Sequence, residues 1–380
     1  MPGIDELYNW LARDVSPAAN QLFAAALPRA EPEWADRIGR ILVERRHETA
    51  WVALAANYLR FNAAIQERIR KQADLARKGL AAALTLTDSA ARRSALGLLC
   101  EMPDGELAPS AAACLRDPDP FTRDLAAKAV CLLAERALAE TPQDARHLVT
   151  ALTTALRTFE RHRQPSVLRA CLWYARELGE PLWTALGSGP GRCGHVVEQH
   201  LPEWNEPRLA AFLILGMARP AWQRIAEQCL SRWDTHEHAL ALLAQSDLLS
   251  DMAVRRAMPR LKRPRFFVAA LGRLAEIAPE LRACVPHWIC VLGFSEHERL
   301  RCLELCAGSQ WPELQRAAAH AMTSLSDSVA LRGLAEVASK AGAAQQFARW
   351  YVLGRRVLAG SGGARRTTTA TSSAARSESP

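Results

Sequence analysis

Strand-forming chemistry is scarce in this chain. Among its 380 residues there are only 4 Tyr and 9 Phe, alanine and leucine dominate, and the β-branched enrichment that pleated surfaces favour is missing. A β-rich fold is therefore excluded and a helical one expected. Long apolar runs are also lacking: the longest, residues 209–218, is about half of what a membrane-spanning helix requires, so no membrane partner is expected. Local catalytic signatures are missing too. There is no phosphate-cradling glycine loop ending in lysine and serine or threonine, no strained serine elbow, and no pair of histidines four apart on a helix with glutamate between them. No catalytic residue and no cofactor is predicted. Wholesale disorder is excluded, because hydrophobic residues make up 49% of the chain and charged residues 23%. No break in composition appears before the last twenty or so residues, so one continuous array is expected where length alone would allow two or three domains.

What the chain does have begins with ten cysteines, and Cys100, Cys114, Cys131, Cys171 and Cys229 fall on apolar helical faces, where a thiol behaves as a small hydrophobe. That usage fits a reducing compartment. The chain opens with Asp5 and Glu6 where an export signal would place positive charge before an apolar run, so a cytoplasmic protein is expected.

Asp117-Pro118-Asp119-Pro120 reads as a stop followed by a start. Proline fixes φ, and aspartate caps the open amides of the next helix. Phe121, Leu125, Ala129, Leu132 and Leu133 then recur at helical spacing and are expected on one face, with Ala126 and Ala127 permitting close approach. An arginine followed by small and aliphatic residues recurs at Arg92, Arg123, Arg169, Arg208 and Arg316, more weakly at Arg332, with second helices expected at residues 106–116 and 222–232. The copies from Arg92 to Arg208 lie about 30 to 50 residues apart, the range of two-helix repeats.

On the turn at residues 117–120, Arg123, Ala126 and Ala127, the chain resembles the HEAT-repeat family, including the HEAT-like repeats of phycobilin lyases. The resemblance is good over residues 85–135 and implies an all-α solenoid of degenerate two-helix repeats, without implying an activity. The expected organisation is an N-terminal helical cap or small bundle at 1–84 with a long basic helix at 62–84, a first sub-array at 85–186, a glycine-rich break at 187–194, a second sub-array at 195–359, and a disordered tail at 360–380.

A formal net charge of +8 points to an anionic partner, and it is unevenly spread. Arg255, Arg256, Arg260, Lys262, Arg263 and Arg265 lie together with no acid between them, followed by Phe266 and Phe267; Arg68, Arg70, Lys71, Arg77 and Lys78 form a second group. Such residues line a groove for an acidic protein or for nucleic acid if they gather, and are plain solvated helix faces if they do not.

Three sharper patterns compete with ordinary packing. Trp222 and Trp233-Asp234 are residue types found in the helical-repeat DNA glycosylases, to which the chain is similar in this respect; a buried tryptophan beside a capping aspartate is the plainer account. His47-Glu48, His236-Glu237 and His297-Glu298 resemble the paired ligands of deoxyhypusine hydroxylase, which needs four such pairs at repeat-length spacing. Cys284, His287 and Cys290, and Cys193, His195 and His200, are incomplete zinc patterns. The function favoured by the sequence is a noncatalytic scaffold binding another protein, with Arg255, Arg256, Arg260, Lys262, Arg263 and Arg265 as contacts; nucleic-acid binding is the alternative, and metal-dependent chemistry a third.

Overall fold

The computed structural model describes residues 4–139, 145–187, 192–262 and 264–368, with side chains as far as Arg356. Among the described residues there are helices and no strands, as the composition requires. None of these helices is long and apolar enough to cross a membrane. The chain divides into two units, Met1–Trp204 and Asn205–Pro380.

Helix starts follow a repeated device. Pro17, Pro32, Pro165, Pro220 and Pro312 each occupy the first turn of a helix, where proline's fixed φ is already helical and its missing N–H has no intrahelical partner to lose. Pro120 opens the helix Pro120–Ala139 in the same way. Asp119 caps that helix, its carboxylate accepting from the amides of Phe121 (3.3 Å) and Thr122 (3.1 Å) and from the Thr122 hydroxyl (2.6 Å).

In the first unit the helices stack in two rows. Glu48–Ala56, Ser89–Glu101, Pro120–Ala139 and Pro165–Trp173 pack each on the next, and behind them Ala108–Ala113, Ala145–Arg157 and Glu180–Ala185 do the same. Small residues set the spacing. A β-carbon on Gly79 would lie 2.4 Å from the carbonyl carbon and oxygen of Trp51, so Ala73–Ala83 can sit this close to Glu48–Ala56 only without a side chain there. In the second unit Ala210–Met217 packs on Pro220–Arg232 and on His236–Leu243, Glu296–Ala307 on Asp327–Ser339, and Cys284–Val291 on Pro312–Met322. The last helix, Gln345–Thr368, lies on Asp327–Ser339.

Successive repeats are joined by polar contacts as well as by packing. The Asp117 side chain is fully buried and accepts from Ser89 Oγ (2.7 Å), Arg92 Nε (2.6 Å) and the Asp119 amide (2.9 Å). Arg123 Nη1 donates to the carbonyls of Asp117 (2.8 Å) and Pro118 (3.0 Å). Arg92 of one copy thus holds the turn that starts the next, and Arg123 braces the turn that starts its own helix. All-α stacking of helix pairs, expected from the repeated arginine and the proline turns, is the architecture of each unit.

Details differ from expectation. Phe121 is 67% exposed, not part of the core face; Thr122, Ala126, Ala127, Ala129, Val130, Leu133 and Ala134 are the buried residues, and Leu125 and Leu132 are half-buried. The helix is sandwiched between Ser89–Glu101 and Pro165–Trp173, so small residues on two sides face neighbours and the bulky one at the first turn lies outside the contact. Residues 62–84 form two helices, Ala63–Arg70 and Ala73–Ala83, because Gln72 leaves helical geometry at φ −112°, ψ 54°. The second helix expected at 106–116 is a short α-segment, Ala108–Ala113, flanked by 3₁₀ turns. Of the glycine-rich segment 187–194, residues 188–191 lie outside the described ones. Beyond it, Gly194–His200 packs back on Pro165–Trp173 within the first unit. The tail expected from Gly360 begins within the span of the last helix, and residues 369–380 lie outside the described ones.

Candidate partner-binding surface

The basic run falls on a short strap in the second unit. Asp251 caps its first helix, Met252–Ala257, by accepting from the Ala253 amide at 2.7 Å. Pro259 lies in the 3₁₀ turn Met258–Arg260 that follows, and Pro264 immediately precedes the next helix, Arg265–Leu271. Val254, Ala257, Met258, Leu261, Phe266 and Phe267 are buried and anchor the strap from below. Gly293 clamps its middle. Its amide donates to the Leu261 carbonyl at 3.1 Å, and a β-carbon there would lie 2.2 Å from the Pro259 carbonyl oxygen.

Alternation between anchors and cations decides what the surface offers. Arg255, Arg256, Arg260, Lys262 and Arg265 are all exposed; Arg263 lies outside the described residues. Arg260 donates to the Gln223 side chain, a neutral partner that leaves its charge uncompensated. None of Arg255, Arg256, Lys262 and Arg265 pairs with a carboxylate among the described residues. The charge of Arg255 reaches the neighbouring helix Cys284–Val291, where burial first, and Arg255 second, hold the exposed His287 ring below the ordinary histidine value.

The other basic group is built differently. Arg68 pairs with Glu44 (3.5 Å), Lys71 with Glu67 (3.6 Å), Arg77 with Asp104 (2.5 Å), and Arg70 with both Glu67 and Glu101. Four of its five cations are matched by carboxylates, so this face is a mixed ionic surface and not an anion groove.

Trp222, Trp233 and His238 pack in the core. Trp233 is buried, stacked on His238 at 4.6 Å and edge-on to Phe266 at 5.6 Å; Trp222 packs edge-on to Phe212 at 5.7 Å. Thr235, not Asp234, caps the helix His236–Leu243, in a reciprocal box with His238. In two of the His-Glu pairs one member makes a local bond: His47 bonds Thr49 at 2.9 Å, and Glu298 accepts from the amide (2.9 Å) and hydroxyl (2.7 Å) of Ser295. His236 Nε2 approaches Glu276 at 4.0 Å. Cys193 Sγ contacts the Ala185 carbonyl at 3.4 Å, and Cys290 Sγ contacts the Ala321 carbonyl (3.6 Å) and receives the Ser324 hydroxyl (3.3 Å). Among the described residues no three of His, Cys, Asp and Glu are placed to hold a metal ion. Burial pushes the thiols of Cys193 and Cys114 up to about 11, away from nucleophilic character at neutral pH.

One feature escaped the sequence patterns. A groove of about 680 Å³ in the first unit runs past Val52, Ala56, Leu59 and Leu86. Its arginines are engaged, Arg60 donating to the carbonyls of Pro28 and of Ala30 (2.6 Å) and Arg93 to Asp119 (3.3 Å). The signal was present in Leu59, within the 3₁₀ turn Tyr58–Arg60, and in Leu86, in a connection, leucines that are 50% and 37% exposed.

No family model matches the chain. No curated protein matches it either. Among solved structures it is similar to Kap121p bound to Nup53p (11% identity, covering 85% of this chain and 44% of that one) and to the karyopherin Kap121p bound to the SUMO protease Ulp1p (11%, 90% and 46%). Kap121p bound to Ste12p is a third (12%, 88% and 43%), and the TM-score is 0.26 in each case. The chain spans less than half the length of these proteins. The stacked-helix description of each unit therefore rests on the chain's own contacts.

Proposed function

We propose that this chain is a noncatalytic helical scaffold that binds an acidic partner protein through the strap carrying Arg255, Arg256, Arg260, Lys262 and Arg265. Arg263, in the same run, is assigned to it from sequence alone. One observation carries the reading: among the described residues, Arg255, Arg256, Lys262 and Arg265 on the anchored strap pair with no carboxylate, while the comparable group at Arg68 to Arg77 is matched by acids. Preorganised charge of this kind steers encounter with an oppositely charged surface and costs little ordering on binding.

The test is purification of the native chain beside a variant with Arg255, Arg256, Lys262 and Arg265 changed to Glu. The wild type is expected to retain a stoichiometric protein after nuclease treatment, and the variant to lose it, with affinity reduced on the order of 100-fold. Equal retention by both would remove the strap from the interface. Loss of all bound material on nuclease treatment, with affinity falling log-linearly in salt, would replace protein with nucleic acid as the partner.

A further inference from the structure

Resting on the protein-binding reading above, we infer that the strap's occupant is an acidic amphipathic segment, one that brings aliphatic side chains together with its carboxylates. Two aliphatic residues stand exposed within the cationic surface: Met252 at 55% and Val268 at 50%. Each lies three residues from an exposed arginine on the same helix, Met252 before Arg255 and Val268 after Arg265. Residues three apart on a helix are neighbours on one face. Each helix of the strap therefore presents the same unit, an aliphatic side chain beside a guanidinium. A partner helix with leucine and glutamate three or four residues apart has the complementary unit, and charge fixes its sign.

The burial of the aromatics separates this occupant from a nucleic acid. Strands of DNA or RNA bind cationic grooves by stacking bases on exposed rings. Phe266 and Phe267, which follow the cations in sequence, are 0% and 1% exposed, with Phe266 edge-on to Trp233 and Phe267 near Phe294 at 6.5 Å. The large apolar side chains left open on the strap itself are instead a methionine and a valine, which match another aliphatic surface, while the exposed His287 ring that feels Arg255 belongs to the neighbouring helix Cys284–Val291.

The experiment uses the full chain and three probes: a labelled helical peptide with glutamate and leucine on one face, the same peptide with its leucines changed to serine, and a single-stranded oligonucleotide of equal charge. The leucine peptide is expected to bind tighter than the serine peptide by roughly threefold to tenfold for each aliphatic residue covered, since about half of each side chain remains to be buried. Met252→Ser with Val268→Ser should erase that difference and leave serine-peptide binding unchanged. Equal binding of the two peptides to the wild type overturns the inference and leaves the acidic-partner reading standing. Failure of both peptides, or tighter binding of the oligonucleotide, overturns the protein-binding reading with it.

Discussion

Replacing Asp117 with Ala should destabilise the first unit more than almost any other single change to a polar residue. The carboxylate has no exposed surface and Arg92 is only 16% exposed, so the pair cannot exchange its mutual bonds for water. Arg92 Nη2 lies 2.5 Å from Asp117, and Ser89 and the Asp119 amide complete the carboxylate's shell. Deleting one member of a buried pair costs about 3–5 kcal/mol, chiefly because the other is left charged and unmatched. Asp117→Ala and Arg92→Met are each expected to cost about 4 kcal/mol, and the double variant about 5 kcal/mol, a coupling near 3 kcal/mol. Urea denaturation followed by circular dichroism measures this, with the slope checked for each variant because stacked repeats can lose cooperativity. The pH dependence supplies a second reading. Burial pushes the Asp117 carboxyl up, but hydrogen bonds from Ser89, the Asp119 amide and Arg92 hold it below its ordinary value of 3.8. Its contribution is present above that pH and is lost as pH falls through the lower, folded value, and the Ala variant should lack that limb. Strict additivity of the two single changes would refute the claim that Asp117 and Arg92 act as one joint between repeats.

Gly79→Ala should cost about 2–3 kcal/mol by driving a methyl into the Trp51 backbone, read as a fall in the urea midpoint. Gly354→Ala, by contrast, meets nothing within 4 Å in an exposed helix and should raise stability by up to about 1 kcal/mol; a fall in melting temperature would contradict the helix there. His162 accepts from the Gln164 amide at Nδ1 (3.1 Å) and donates from Nε2 to the Ala155 carbonyl (3.0 Å), an arrangement for the neutral ring. Burial holds its pKa below the ordinary 6.5, so its contribution should be lost as pH falls below that value, and His162→Gln should flatten stability over that window. A wild-type profile as flat as the variant's would remove the role.

Much of the fold was legible because the signals that specify it are local. Proline at a helix start, aspartate at a cap and alanine at a contact each act within a few residues, and Asp119, Pro120, Ala126 and Ala127 behave as their chemistry requires. Phe121 was misplaced because helical spacing defines a face but not the neighbours that cover it, and here helices on two sides cover the small residues. The long basic helix was misjudged for a related reason. A run of good helix formers carries no mark of the break at Gln72, which follows from tertiary packing of Ala73–Ala83 on Glu48–Ala56.

The two basic groups show why the site was only half legible. In sequence they look alike, five or six cations within about a dozen residues. What separates them is the carboxylates: Glu44 and Glu101, from other helices, and Asp104, from the connection after Ser89–Glu101, are brought to the first group, and none comes to Arg255, Arg256, Lys262 or Arg265 among the described residues. A side chain that needs a distant partner cannot announce that partner locally. Phe266 and Phe267 carry the same lesson in reverse: they follow six cations in the sequence, yet one packs edge-on to Trp233 and the other lies near Phe294 in the core. Their burial turns a surface that resembles a nucleic-acid site into one whose exposed apolar contacts are aliphatic. On the proposed reading the choice of partner depends on which way two adjacent rings face, and the peptide and oligonucleotide comparison tests that reading directly.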